Sequence, residues 1–384
     1  MRCQHFASIP PVIPPMSAVF SPTERLYTLD TLRGLAALSV VFWHWQHFFY
    51  VGDSPAAFEV ARQPFFTLLT PLYHYGGLAV QLFFSISGFV FFWLFAERVG
   101  ARSLSVRSFA VDRFSRLYPL HLLTLVGVAV LQSLYSTSHG SYFVYPFNDA
   151  YHALLNLLLA PAWGFEQGWS FNAPIWSVSV EVLLYALFFI ICLTGRWRWP
   201  LAAIACGAGF LLYPGSYKIG SGLLCFFAGG LGYGVLWQLR GCGSGLALLM
   251  CGCIASGAWA SQLWLYETFN VYLVMCLCFP ATLATLAAAG LHWPGLWRRT
   301  GWIGDISYAS YLLHFPLQIV FALAFDRLGF AREVFYQPWV MLLFLLLLVP
   351  MSLACHRWVE RPAQRWLRNS RLAGVRRPRD QAAV

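Results

Sequence analysis

The hydrophobic positions of the chain fall into long runs, with neither the alternation of a half-buried strand nor the narrow stripe of a surface helix. Apolar stretches lie near 33–51, 77–96, 117–136, 174–194, 200–214, 221–239, 245–262, 271–290, 305–325 and 338–356, separated by short polar or Gly/Pro-bearing segments. A helix needs about 20 such residues to cross a hydrocarbon core of about 30 Å, and inside lipid only helices and closed barrels satisfy every backbone group. The pattern therefore predicts an all-α, polytopic integral membrane protein with about ten transmembrane helices. An eleventh run, 151–161, is too short to cross comfortably and ends in Pro161.

Composition agrees. Of 384 residues, 59% are hydrophobic and 10% charged, with a mean hydropathy of +0.61, against about 25% charged residues in a soluble domain. Residues 1–24, with four prolines between Pro10 and Pro15 and no apolar stretch behind a basic one, predict a flexible cytoplasmic tail and not a secretory signal; Met16 is an alternative start. Residues 25–362 form one transmembrane domain, and 363–384 an Arg-rich cytoplasmic tail. The ten cysteines lie mostly in apolar runs, and the pairs Cys251/Cys253 and Cys276/Cys278 lack a second half at zinc-site spacing, so no metal site is expected.

The net charge of +10 has two readings, nucleic-acid binding or arginines held on the cytoplasmic side, and the positive-inside rule favours the second. If 151–161 does not cross, both termini are cytoplasmic, with 21 arginines inside and only Arg62, Lys218, Arg327 and Arg332 outside. If it crosses, Arg196, Arg198, Arg298, Arg299 and the C-terminal arginines face outward. The segment is therefore read as re-entrant or interfacial on the outer face.

Ionisable groups within spans are costly and carry function by default. The candidates to weigh are Arg33, His44, His47, Glu181 and His314. Arg33 and His44 are eleven residues apart, which on a straight helix puts them within about 20° of one face and about 16.5 Å apart along the axis, with His47 about 40° away. Ser87, Glu181 and His314 fall at a depth similar to that of His44, which permits a shared cavity. Each residue taken alone could equally be a packed, hydrogen-bonded structural group. Arg113 and Arg116, at i and i+3 just before the third span, aim two guanidinium groups the same way, suited to a phosphorylated ligand or simply to holding the loop inside. Ser85 and Gly88, at helical spacing, admit either a ligand or a neighbouring helix. Hydroxyls of the segment from Ser307 to Tyr311 lie near His314 in sequence, for chemistry or for helix-to-helix bonding.

Six motifs in order, Leu29-Asp30-Thr31-Leu32-Arg33-Gly34 with His44 (Arg-x10-His), Phe83-Phe84-Ser85-Ile86-Ser87-Gly88, Arg113-x-x-Arg116-Leu-Tyr-Pro119, Trp176-Ser177-Val178-Ser179-Val180-Glu181, Ser307-Tyr308 to His314, and Glu360-Arg361-Pro362, run through the whole chain. On them the sequence resembles the membrane-bound acyltransferase family 3, bacterial proteins that O-acylate cell-surface sugars and other extracytoplasmic acceptors. It departs in Val182 after Glu181, where relatives commonly have an acidic residue, and in Thr31 after Asp30, where Gly is usual. With only an Arg-rich tail after Pro362, a stand-alone member is expected.

The resemblance implies a multi-pass protein of the bacterial cytoplasmic (inner) membrane and an acyl-CoA donor, acetyl-CoA foremost, entering from the cytoplasm with no other cofactor. The acceptor is a glycan or glycolipid hydroxyl. His44 is the expected general base, with Arg33 and Glu181 beside it as catalytic groups. Arg113, Arg116, Ser87 and Gly88 are expected on the donor, and His314 and Tyr311 on the acceptor. Direct attack on the thioester and an acyl-His intermediate both remain open. A proton-coupled secondary transporter is the rival from another class, since intramembrane Glu and His also make proton relays, although no inverted repeat is visible. A non-catalytic scaffold is the third.

Overall fold

A computed structural model of the protein describes residues 25–56, 58–265 and 269–369. The predicted N-terminal tail and residues 370–384 of the predicted C-terminal tail lie outside the described residues.

In chain order, α1 (Tyr27–Trp43) tightens into a 3₁₀ turn, His44–Phe49, and a two-residue ribbon pairs Tyr50–Val51 with Ser54–Pro55. Then come α2 (Phe66–Tyr75), α3 (Ala79–Gly100), α4 (Val106–His139), α5 (Ala150–Leu157), α6 (Trp176–Leu193), α7 (Arg198–Leu212), α8 (Tyr217–Gln238) and α9 (Ser244–Trp264). α10 (Val271–Leu273) widens through Val274–Cys278 into α11 (Phe279–His292); α12 (Gly301–Asp305) and α13 (Ser307–Arg327) follow. α14 (Pro338–Cys355) passes a second widened turn, His356–Glu360, into α15 (Arg361–Asn369).

The chain is an all-α multi-pass membrane protein. Among the described residues, eight helices are long and apolar enough to cross a membrane, against the ten expected. The remaining two expected spans correspond to α1 and α7, of 17 and 15 residues. α5 has eight residues, about 12 Å at 1.5 Å per residue, and cannot cross by itself.

Two boundaries move. α4 starts at Val106, capped by Ser105 Oγ accepting from the Ser108 N–H at 3.2 Å, so Arg113 and Arg116 sit inside a helix and not ahead of one. Hydropathy stops where charge begins, but a capped helix carries its ladder on past the apolar run. Likewise, the predicted domain boundary at 362 falls within α15. Pro362 is accommodated because it follows the widened turn, where the i→i−4 ladder is already interrupted.

α8 is the most enclosed of the eight spans. A Cβ on Gly88 would overlap the Phe226 carbonyl, and one on Gly229 would overlap the Ser85 carbonyl. α3 and α8 therefore touch backbone to backbone, the small-residue contact that holds helices together in lipid. This corrects the reading of Gly88 as a donor-binding residue: its open side is filled by α8.

A second cluster of core residues is strongly aromatic and fixes the turn after α1. Trp45 Nε1 donates to the Phe335 carbonyl at 2.8 Å, and Phe48 stacks on Phe335 with ring centroids 3.9 Å apart. Because the turn is 3₁₀, the 100° arithmetic that put His47 on the Arg33 stripe stops at Trp43.

Candidate active site

Two polar groups, joined through Tyr311, occupy the bundle. The first surrounds a partly open cavity of about 120 Å³ lined from α1, α3, α4, α6 and α13. Its charged lining is Arg33, Arg113, Arg116 and Glu181.

Each is held differently. Arg33 Nε donates to Ser307 Oγ at 3.0 Å and its Nη2 to the Gly304 carbonyl at 2.8 Å, with Asp30 3.3 Å away. Arg113 lies over the rings of Phe91 and Phe95, 5.3 and 5.1 Å from their centroids. Arg116 is exposed and has no ion pair among the described residues. Glu181 accepts from Ser87 Oγ at 2.6 Å through one carboxylate oxygen and from the Tyr185 hydroxyl at 2.8 Å through the other. With three guanidinium groups to one carboxylate, the cavity suits a polyanion, and Arg suits phosphate.

The second group is a buried histidine cluster. His314 Nε2 lies 3.1 Å from His44 Nδ1, with the ring planes 20° from parallel and the centroids 4.9 Å apart. His314 Nδ1 donates to the Tyr311 carbonyl at 2.6 Å. His47 Nδ1 is 3.1 Å from Gln318 Oε1, and Gln318 Nε2 donates to the His44 carbonyl at 2.8 Å. His314 and Gln318 are fully buried, and His44 keeps 9% of its surface.

Tyr311 belongs to both groups. Its side chain lines the cavity, and its hydroxyl donates to the Pro174 carbonyl at 2.7 Å and meets Ser177 Oγ at 3.0 Å. Its ring centroid lies 6.1 Å from that of His314.

The expected residues thus separate. Ser87, Glu181, Arg33, Arg113 and Arg116 come together around the cavity, and His44 and His314 come together beyond Tyr311. Glu181 therefore does not flank His44 as the shared depth suggested, because helix rotation, which depth leaves open, turns it toward α3. His314 has both ring nitrogens engaged within the bundle and the Tyr311 hydroxyl is likewise occupied, which leaves neither well placed to hold an acceptor. Sequence reading missed Tyr185 and Gln318. Gln318 was recoverable, as an amide one turn beyond His314 in an otherwise apolar helix.

A family model described as "Acyltransferase domain" matches residues 26–356. The acyltransferase MdmB of Streptomyces mycarofaciens is 29% identical over 353 residues, covering 80% of this chain and 83% of that protein. Protein 2 in the picA locus of Rhizobium radiobacter is 36% identical over 109 residues, 28% of this chain and 47% of that one. No solved structure matches.

Proposed function

The chain belongs to the acyltransferase domain family, the membrane-bound acyltransferase family 3, and from that premise we propose that it moves an acyl group, acetyl foremost, from acyl-CoA to a hydroxyl of a cell-surface glycan or glycolipid. The observation that carries this reading is the cationic cavity joined through Tyr311 to a buried histidine pair. Arg116, Arg113 and Arg33 bind the phosphates of the donor, and the thioester is directed toward Tyr311. The acceptor approaches from the His47 side. His44 takes the proton of the hydroxyl as its oxygen forms the ester bond with the thioester carbonyl carbon. The C–S bond then breaks, and the departing thiolate takes that proton from His44. An imidazole suits this work because it gains and loses a proton near neutral pH.

Under this reading the Arg-rich end of the bundle faces the cytoplasm of a bacterial cell and the protein sits in its inner membrane, as the excess of arginine supports. Acyl transfer gives the buried histidine pair a place in a reaction, which the transporter reading does not require.

The test is CoA release from acetyl-CoA by the full chain in proteoliposomes supplied with the host's surface glycan and lipid, followed by mass spectrometry of both for a gained acyl mass. Release and mass gain are expected in the wild type. His44→Gln, inserted to the same level, is expected to lose 10²-fold to 10⁴-fold. Full activity in that variant would exclude His44 as the base, and no acyl gain in any fraction would exclude the acceptor class.

A further inference from the structure

We propose that His314 is a positioning residue that fixes which nitrogen of His44 is basic, leaving the lone pair on Nε2. This rests on the reading of His44 as the base, and it deepens it by naming the atom.

A carbonyl can only accept a hydrogen bond. The Tyr311 carbonyl, 2.6 Å from His314 Nδ1, therefore requires a proton on that nitrogen. In a neutral ring, Nε2 of His314 must then carry the lone pair. His44 Nδ1, 3.1 Å away, meets that lone pair and must supply the proton of the bond. The remaining nitrogen of a neutral His44 is Nε2, unprotonated, and the ring's bond to the Val40 carbonyl, an acceptor only, then also falls to the Nδ1 proton. The tautomer of one ring is thus set by the bond made by the other, and the chain of bonds begins at a fixed backbone group.

The neighbouring bonds obey the same logic. The His44 carbonyl accepts from Gln318, so the NH₂ of that amide faces His44 and its oxygen faces His47. His47 Nδ1 must therefore carry a proton. One buried amide clamps the backbone of His44 and sets the tautomer of His47. His314 and Gln318 are successive turns of α13, so one helix face imposes both tautomers.

The His314 ring acts here as an acceptor and does not exchange protons. A side chain that keeps an acceptor near its Nε2 should therefore substitute for it, and an apolar one should not. The experiment uses the full chain in liposomes, with ¹⁵N-labelled histidine and solid-state NMR of the imidazole nitrogens, alongside CoA release from acetyl-CoA. In the wild type, His44 should show a protonated Nδ1 and an unprotonated Nε2. His314→Phe should mix the two tautomers and lower kcat on the order of 10²-fold, with donor KM changed less than threefold. His314→Gln, whose amide oxygen can accept from His44, should restore the tautomer and at least tenfold of the lost kcat.

A wild-type His44 with its proton on Nε2 would overturn the proposal even if both variants are poorly inserted. So would a His314→Phe protein that keeps the wild-type tautomer, or a His314→Gln protein no better than the Phe variant. If the tautomer is as stated but His44→Gln retains full transfer, the role of His44 as base fails while the tautomer assignment stands.

Discussion

Arg33 donates to Ser307 at 3.0 Å, and eleven residues later, in the turn that follows α1, His44 meets His314, seven residues on from Ser307 in α13. The same pair of segments is tied at both ends, so the cationic cavity and the histidine pair are held in fixed relation by two elements running in the same direction. What lies between them is Tyr311, whose hydroxyl is engaged with Pro174 and Ser177.

The arginines should differ in their roles. Arg116 has no ion pair to lose, so Arg116→Gln is expected to raise donor KM roughly tenfold, the worth of one charge-assisted contact, with kcat within about threefold and melting unchanged. Arg113→Gln should raise KM similarly and also lower the melting temperature, because its contact with Phe91 and Phe95 contributes about 1 kcal/mol. Initial rates at varied acetyl-CoA and thermal unfolding in detergent separate the two.

Among the described residues, Glu181 is the one negative group in the cavity lining. In Glu181→Gln the hydroxyls of Ser87 and Tyr185 keep partners, and a carboxylate that repels phosphate is gone. CoA binding is expected to tighten roughly threefold to tenfold, about 1 kcal/mol. Equilibrium binding of CoA checks the direction. Weaker binding would mean that the carboxylate organises the arginines more than it opposes the ligand.

At the α3–α8 crossing, Gly88→Val should be severely destabilising, since the carbonyl of Phe226 occupies the space of any side chain. Overpacking typically costs about 1–3 kcal/mol, and more where backbone must move. Gly127→Val, with open space around the position, serves as the control in the same melting assay.

Outside the spans, Asp149 caps α5 and is held below its ordinary carboxylate value first by the His152 backbone N–H, 2.9 Å away, then by the His152 ring. A depressed acid stabilises the fold above its ordinary range and loses that contribution as pH falls through its lowered value. Asp149→Ala should cost about 1 kcal/mol at pH 7. The loss should be pH-independent near neutrality and shrink only below about pH 4. Asp149→Asn should keep most of the cap. Melting of the three proteins against pH reads this out.

Apolar run length was enough to reveal the class of fold and most of its helices, because lipid requires unbroken hydrophobic segments. It was not enough to end α4 or α14, whose continuations past Leu117 and Cys355 are carried by capping and by a widened turn, features that hydropathy does not register. At the site, periodicity put Arg33 and His44 on one helix, and their separate partners, Ser307 and His314, lie together on another. The division of Glu181 from His44 was not legible, since the rotation of α6 is set by what Tyr185 and Ser87 can reach. Gly88 was ambiguous for a related reason: a missing side chain leaves room for a ligand or a helix alike, and only the position of Phe226 decides.

The partners of the histidine pair are 270 residues apart in the chain. A nascent protein that has inserted α1 and every helix through α12 still has His44 without its neighbour, and with no Gln318 to brace its backbone. Under the proposed mechanism the base thus gains its tautomer-setting partner only when biosynthesis is nearly finished.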